Sequence, residues 1–243
     1  MLPREARAGV DVGAAAPGLS VRVRQAELMD DPALAPDRHE RALAALARVN
    51  RVSGAAGRLF EEVARVHELR GGPVRVLDVA CGGGDVLHAV GRSARRRGVP
   101  VELHGCDLSP VALRAAGRGR VVTHRLDVLR DPLPGRFDVV SCNLFLHHLE
   151  RDDAVALLRR LSDAAVESLL VQDLRRTRRG YALAWLGLHT LTRSDVARTD
   201  GLRSVRAAFT LAEAGRLCVD AGLVGAEVTR GWPQRLLLRW RAA

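Results

Sequence analysis

Residues 76–85, VLDVACGGGD, constrain the fold of this chain more than any other segment. An apolar run that reads as a buried strand passes directly into three consecutive glycines and then into a helix opening at Asp85. Gly82, Gly83 and Gly84 remove side chains where the backbone approaches a ligand closely, and they permit the positive φ of a tight strand-to-helix turn. The helix start offers unpaired N–H groups. A turn of this kind also serves plain strand-to-helix packing, so the segment alone leaves both readings open.

Its surroundings repeat strand and helix. Short apolar runs at 74–79, 101–106, 120–124, 137–142 and 167–172 alternate with helical stretches opening at Asp85, near Pro110 and over Asp152–Val166. Such alternation predicts a parallel sheet covered on both faces. Upstream, Asp37 caps a helix beginning near Arg38, with Leu43, Leu46, Ala47 and Val49 on one face. Ser53 starts a second helix in which Leu59, Phe60, Val63, Val66 and Leu69 share a side, ended by Gly71-Gly72-Pro73. Downstream, a long crossover (about 173–222) holds the apolar segment Tyr181–Leu191 and then a helix from Thr210, whose pairing with Glu213 forms a capping box. The chain closes on strands Ala226–Arg230 and Arg235–Trp240. Only Gly231-Trp232-Pro233-Gln234 separates them, and a connection that short permits only an antiparallel pair.

Acidic residues recur at the ends of these strands. The second strand, in VELHGCDLS, ends in Asp107, where a carboxylate is placed to accept hydrogen bonds from both ribose hydroxyls. The third ends in Asp127, within THRLDVL, where an acid can meet an adenine edge. One acid after a strand commonly caps a helix or a turn. Asp78, Asp107 and Asp127 in register mark the carboxyl edge at which open α/β sheets bind ligands.

As a set, these residues resemble the class I, Rossmann-like methyltransferases. Motif I of that class is an acid followed by G-x-G-x-G. Asp78 matches the acid, Gly82 and Gly84 match the second and third glycines, and Ala80 stands in place of the first, with Cys81 between. Asp107, followed by Leu108, matches the ribose-binding acid, and Asp127 with Val128 matches the adenine-binding pair. FDVVSCNLFLHHL, residues 137–149, is similar to motif IV of the small-molecule branch related to ubiquinone- and menaquinone-biosynthesis methyltransferases.

The resemblance spans about 74–243. It implies S-adenosyl-L-methionine as cofactor, and an α/β fold with a doubly wound, seven-stranded, mostly parallel sheet, an antiparallel last strand and an N-terminal helical lid. The chain then divides into a mobile N-terminus (1–20), a helical cap (21–72) and the Rossmann-like domain (73–243), with an acceptor-side insertion at about 173–209. The implied cofactor shell is Asp78, Ala80, Cys81, Gly82, Gly84, Asp107, Leu108, Asp127, Val128 and Asn143. Arg51 joins it as a fork for the cofactor carboxylate, or is a surface arginine. A dinucleotide enzyme would need G-x-G-x-x-G, which is absent, and Asp85 would repel a pyrophosphate at the helix start. S-adenosylmethionine has no phosphate and carries sulfonium and ammonium cations, so electrostatics favours it here.

Methyl transfer is an in-line displacement, and an oxygen acceptor must usually lose a proton to a base near neutral pKa. His147 and His148 follow the fourth strand at the ligand edge, and His148 is preferred as the base over His147; the pair serves equally as packing or capping. His189, in AWLGLHTLTRSD, is the next candidate. His39, His67, His88, His104 and His124 read as surface or packing residues. Asn143 is not part of the N/D-P-P-Y/F motif of nucleobase amino-methylating enzymes, whose prolines are missing. The N-terminal helices and Tyr181–Leu191 would close over the open edge, with Trp185, Leu186 and Phe60 lining an apolar acceptor pocket or simply packing in the core.

Composition removes rivals. The net charge of +10 and pI near 11.1 suggest nucleic acid, but all 38 basic residues are arginine and isoleucine is absent, both signs of a GC-rich coding sequence. The arginines are dispersed and aromatics make up only 3%, too few for base-stacking platforms. Four cysteines without a C-x-x-C pair imply neither disulfides nor a metal site. With no run of about 18 apolar residues and no secretory signal, the expectation is a cytoplasmic protein without a membrane span. The expected function is O-methylation of a small aromatic or polyketide-like acceptor. The alternatives are an RNA or protein methyltransferase and a cofactor-binding protein without transfer activity. Oligomeric state is not legible.

Overall fold

Strand Val74–Val79 (β1) is buried at every position except Arg75, as a strand covered on both faces must be. In the computed structural model, which describes residues 18–31 and 33–242, it lies near the middle of a seven-stranded sheet. The other strands are Val101–Asp107 (β2), Val121–Arg125 (β3), Phe137–Asn143 (β4), Ala165–Leu174 (β5), Glu227–Gly231 (β6) and Arg235–Arg241 (β7). Their order is β3-β2-β1-β4-β5-β7-β6. The first five are parallel, whereas β7 runs antiparallel between β5 and β6. The reversal at β1, between β2 and β4, is the switch point where such sheets open a crevice.

Side-chain alternation along the strands splits the core in two. On one face Leu77, Val79, Val140 and Leu169 meet Leu157, Leu158 and Leu161 of helix Arg151–Ala164 (α5) and Leu217 of helix Leu211–Asp220 (α8). On the other, Val76, Val139 and Leu170 meet Leu59, Val63 and Val66 of helix Ala55–Arg70 (α2) and Leu87 and Val90 of helix Asp85–Arg97 (α3). Helix α2 therefore belongs to the layer that covers the sheet. Of the expected cap, it is helix Pro36–Ser53 (α1) that reaches α3 and helix Pro110–Ala116 (α4) near the glycine turn.

Three local expectations are corrected. Helix α1 is preceded by Ala35 and starts at Pro36, because proline's fixed φ and missing N–H suit a first helical position. Asp37 instead lies in the first turn and pairs with Arg41 at 2.7 Å. Ser53 ends α1 rather than starting α2; Gly54, at φ 71°, makes the break. The crossover contains helices Arg178–Leu191 (α6) and Asp195–Ala207 (α7) before α8, and α7, capped by the Ser194 hydroxyl, was not foreseen. The capping box of Thr210 and Glu213 is formed as expected.

Residues 1–17 of the expected mobile N-terminus, and the side chains of Leu46 and Val49, lie outside what is described. The segment that follows is bound to α7. Val23 N–H donates to Arg206 O at 3.1 Å, and Leu28 and Met29 N–H donate to the Asp200 carboxylate at 2.8 and 3.0 Å. Arg22 donates to the carbonyls of Ala207, His147 and Leu149 and stacks over the Phe209 ring. Among the described residues no helix is long and apolar enough to cross a membrane.

Candidate functional site

At the carboxyl end of β1 the backbone must turn sharply to enter α3, and it does so through alternate left-handed residues. Ala80, Gly82 and Gly84 have φ of 53°, 54° and 70°. Ala80 thus adopts a conformation that costs an L-residue about 1–2 kcal/mol. Gly84 is required twice over, since a Cβ there would also lie 2.9 Å from Ala116 Cβ on α4. Cys81 N–H donates to Cys106 O at 3.0 Å, and its side chain is buried against Gly105, where a Cβ would meet Sγ at 2.7 Å. Gly105 is a requirement that the sequence reading missed. Burial pushes the Cys81 thiol up, so it stays protonated. All four cysteines are buried and free, as small apolar residues.

Asp107 closes the turn from β2. Its Oδ2 accepts Gly82 N–H and its Oδ1 accepts Ser109 N–H, both at 2.9 Å. Leu108 beside it is 61% exposed, an apolar side chain left at the open edge. Asp78 lies beneath, 1% exposed, its Oδ1 accepting Ser141 Oγ–H at 2.6 Å and Asn143 Nδ2–H at 2.8 Å. Burial pushes its carboxyl up to about 7, against those two hydrogen bonds and with added repulsion from Asp85 and Asp107. Burial also raises Asp85, which the side chain of Asn50 steadies from α1. It is Asn50, rather than its neighbour Arg51, that reaches the turn. Arg51 is exposed on the last turn of α1 and makes no hydrogen bond or ion pair among the described residues.

Beyond β3, Asp127 accepts Leu129 N–H at 3.0 Å, and its carbonyl accepts Arg130 and Asp131 N–H, so it organises a turn of its own. Val128 is buried in the core on the α5 side. On the other side of β1, Asn143 connects the acids to a polar chain. Its Oδ1 accepts Gln172 Nε2–H at 2.8 Å, and Gln172 Oε1 accepts Arg58 Nε–H at 2.6 Å.

After β4, Leu144 (φ 56°) bends the chain into a 3-10 turn, Leu146–His148. His147 is buried; its Nδ1 lies 2.6 Å from Asp173 Oδ1, and its N–H donates to Asp173 Oδ2 at 2.9 Å. Burial opposes a charge on this ring, but the carboxylates of Asp173 and Glu27 prevail and push it up to about 9. As a base His147 would first have to lose a proton. Glu27 arrives from the N-terminal segment, with Oε1 3.6 Å from His147 Nε2 and Oε2 3.8 Å from His148 Nε2. Burial works against its ionisation, and the two imidazoles together with the Ser204 hydroxyl hold it below the usual carboxylate range. His148 is the more exposed ring, 23% against 4%; it stacks on Phe145 and lies tilted against His147.

His189 is not brought to this cluster. It is exposed on α6, bonded through Nδ1 to Trp185 O and stacked on the Trp185 ring. Nor do Trp185, Leu186 and Phe60 converge. The first two are about half exposed, and Phe60 packs in the core below Arg97, at the far end of α3. Glu27 and Asp173 were missed in the sequence, since they meet His147 only through the tertiary fold.

Comparison with known proteins follows this geometry. A family profile described as "Methyltransferase domain" matches residues 77–167, the stretch from β1 into β5. The chain is 30% identical over 164 residues to the ubiquinone biosynthesis O-methyltransferase of Thiobacillus denitrificans, covering 64% of this chain and 66% of that protein. It is 32% identical over 144 residues to the protein of that name from Xanthomonas euvesicatoria pv. vesicatoria, covering 55% and 56%. The chain thus spans between about half and two thirds of the length of these relatives. Among solved structures it resembles the plantazolicin methyltransferase BpumL in complex with a monoazolic desmethylPZN analog and SAH, with a TM-score of 0.61 and 17% identity over 84% of this chain and 90% of that one. It also resembles magnesium protoporphyrin IX methyltransferase from Synechocystis with bound SAH, at 0.53 and 17% over 78% and 84%. At these identities the structures establish a shared fold.

Proposed function

Because this chain carries a class I, Rossmann-like S-adenosylmethionine methyltransferase domain, we propose that it transfers a methyl group from S-adenosyl-L-methionine to an oxygen of a small molecule. The carrying observation is the carboxylate of Asp107, locked across the glycine turn by two backbone amides at the carboxyl edge of the sheet. The donor's chemistry fits the residues. Asp78, Asp85 and Asp107 are close enough for the latter two to raise the first, an environment that favours a cation and disfavours a phosphate.

When bound, the cofactor supplies an electrophilic methyl on a cationic sulfur. Asp107 accepts the ribose hydroxyls, while Leu108, Asp127 and the Val128 backbone adjoin the adenine. Ala80, Cys81, Gly82 and Gly84 present backbone alone, and Asp78 with Asn143 braces the turn from below. Arg51 is assigned to the cofactor carboxylate, one residue from the Asn50 that reaches Asp85.

The acceptor lies beyond Asn143, at the cluster of Glu27, His147 and His148, where its hydroxyl proton is removed. His148, the more exposed ring, acts on the acceptor oxygen, and His147 holds the turn in place through Asp173. The relatives named for ubiquinone biosynthesis support an aromatic hydroxyl as acceptor. Calorimetric titration with S-adenosylmethionine, its demethylated product and NAD tests the reading. Binding of the first two without NAD is expected, and NAD binding alone would overturn it. A panel of phenols, assayed for methyl transfer, then tests the acceptor class.

A further inference from the structure

Glu27, His147 and His148 bring three potential ligand atoms within 4.8 Å of one another. The Glu27 oxygens lie 3.6 and 3.8 Å from the two imidazole Nε2 atoms, too far for hydrogen bonds yet converging on one point. We propose that these three side chains bind a divalent transition-metal ion, with coordination positions left open to an oxygen-bearing acceptor. The site lies outside the cofactor turn; with the ion bound, His148 acts on the acceptor oxygen through the metal rather than as a free base, and only that link to the acceptor rests on the proposed methyl transfer.

The donor set suits such an ion. Two imidazoles and one carboxylate form a three-ligand site of the kind that leaves positions open for water or substrate. First-row dications bind these donors at about 2.0–2.2 Å, which sets neighbouring donors roughly 3–3.5 Å apart, so small side-chain shifts complete the site. The supporting contacts are those a metal site needs. Asp173 Oδ1 holds His147 Nδ1 at 2.6 Å, turning Nε2 toward Glu27, and Asp173 Oδ2 anchors the same residue's N–H. Ser204 donates to Glu27 Oε1.

A latch for the N-terminal segment does not require this arrangement. Arg22, Arg24 and Asp200 already bind that segment through hydrogen bonds of 2.5–3.0 Å. Glu27 adds to them the hydrogen bond from the Ser204 hydroxyl and two long contacts with imidazole nitrogens. The absence of a C-x-x-C pair, from which no metal was expected, does not bear on a site built from histidine and glutamate.

The test is titration of the full chain with Zn2+ and, separately, with Co2+, followed by calorimetry and by the visible absorption of bound cobalt. One equivalent is expected to bind at micromolar or lower concentration. Glu27→Gln and His148→Ala should each weaken it at least tenfold, and Asp173→Asn by about 10–100-fold. Should Glu27→Gln fail to fold, His148→Ala, on the more exposed ring, carries the test. No binding by the folded wild type below millimolar metal overturns the proposal, as does unchanged binding in the folded variants. S-adenosylmethionine titration of the same samples keeps the two readings separate: its failure sinks the methyltransferase assignment, and the metal isotherm stands or falls without it.

Discussion

The amide of Gly82 donates to Oδ2 of Asp107 at 2.9 Å, tying the glycine turn after β1 to the end of β2. Ser109 N–H takes the other oxygen, so the carboxylate is fixed in its plane before any ligand arrives. Each oxygen keeps accepting capacity for one more donor. A pair of vicinal hydroxyls then meets acceptors that need no reordering, which is where preorganisation adds affinity.

Replacing Asp107 by alanine should therefore weaken S-adenosylmethionine binding by more than about tenfold, because each lost charge-assisted hydrogen bond is worth roughly 1.5–3 kcal/mol. The fold should persist, since the two amides freed lie in a partly exposed turn. Calorimetry on a variant with an unchanged circular dichroism spectrum gives the answer. Unaltered affinity there would remove Asp107 from the site.

The left-handed residues of the turn differ in what they tolerate. Ala80→Gly should stabilise the protein by about 0.5–1 kcal/mol, relief of αL strain exceeding the added entropy of the unfolded chain. Gly84→Ala should destabilise by about 1–3 kcal/mol, because it meets both a positive φ and Ala116 Cβ. Denaturant unfolding of both variants measures the contrast. Two shifts of the same sign would mean that the turn relaxes around either substitution.

Asp78 sets a pH dependence of definite sign. Its folded carboxyl titrates at about 7, above its unfolded value, so the folded state binds the extra proton. The stability this confers is complete below about pH 4 and lost as pH rises through 7, in total on the order of a few kcal/mol. Asp78→Asn keeps an oxygen for Ser141 and Asn143 and removes the charge. Unfolding free energies of the two proteins should converge near pH 4, with the variant the more stable at pH 8. Parallel curves from pH 5 to 8 would show that Asp78 ionises without penalty.

What was legible in the sequence was local. β1, the glycines and Asp85 lie within one short segment, so a buried strand, a positive-φ turn and a helix start were each visible there, and the acids at 107 and 127 repeat at strand ends. Pro36 displaced Asp37 as the start of α1 because two legitimate start signals lay side by side. Helix α7, DVARTDGLRSVRA, buries Val196, Ala197, Asp200 and Ser204 together, a mixed face that hydrophobic periodicity does not reveal. Glu27, His147 and Asp173 come from three distant segments, and no spacing within one of them encodes their meeting. Gly105 was invisible for a similar reason: its need is set by Cys81 on the neighbouring strand.

The histidines offer the sharpest separation of cofactor and acceptor roles. His148 stands at the 3-10 turn beside Glu27, four residues and a sharp bend from the strand that ends in Asn143. Its loss should leave the Asp107 end untouched. His148→Ala is expected to lower kcat with a phenolic acceptor by about 10²–10⁴-fold while S-adenosylmethionine affinity stays within about twofold. His189→Ala, on the exposed face of α6, should change neither. His147→Ala should instead lower stability, because it leaves the buried Asp173 carboxylate without its partner, a loss of roughly 3–5 kcal/mol. Kinetics, calorimetry and thermal melting on the three variants distinguish these roles. If His148→Ala loses cofactor binding, the ring belongs to the cofactor shell. If its kcat is normal, acceptor deprotonation happens elsewhere and the assignment of the 3-10 turn to the acceptor fails.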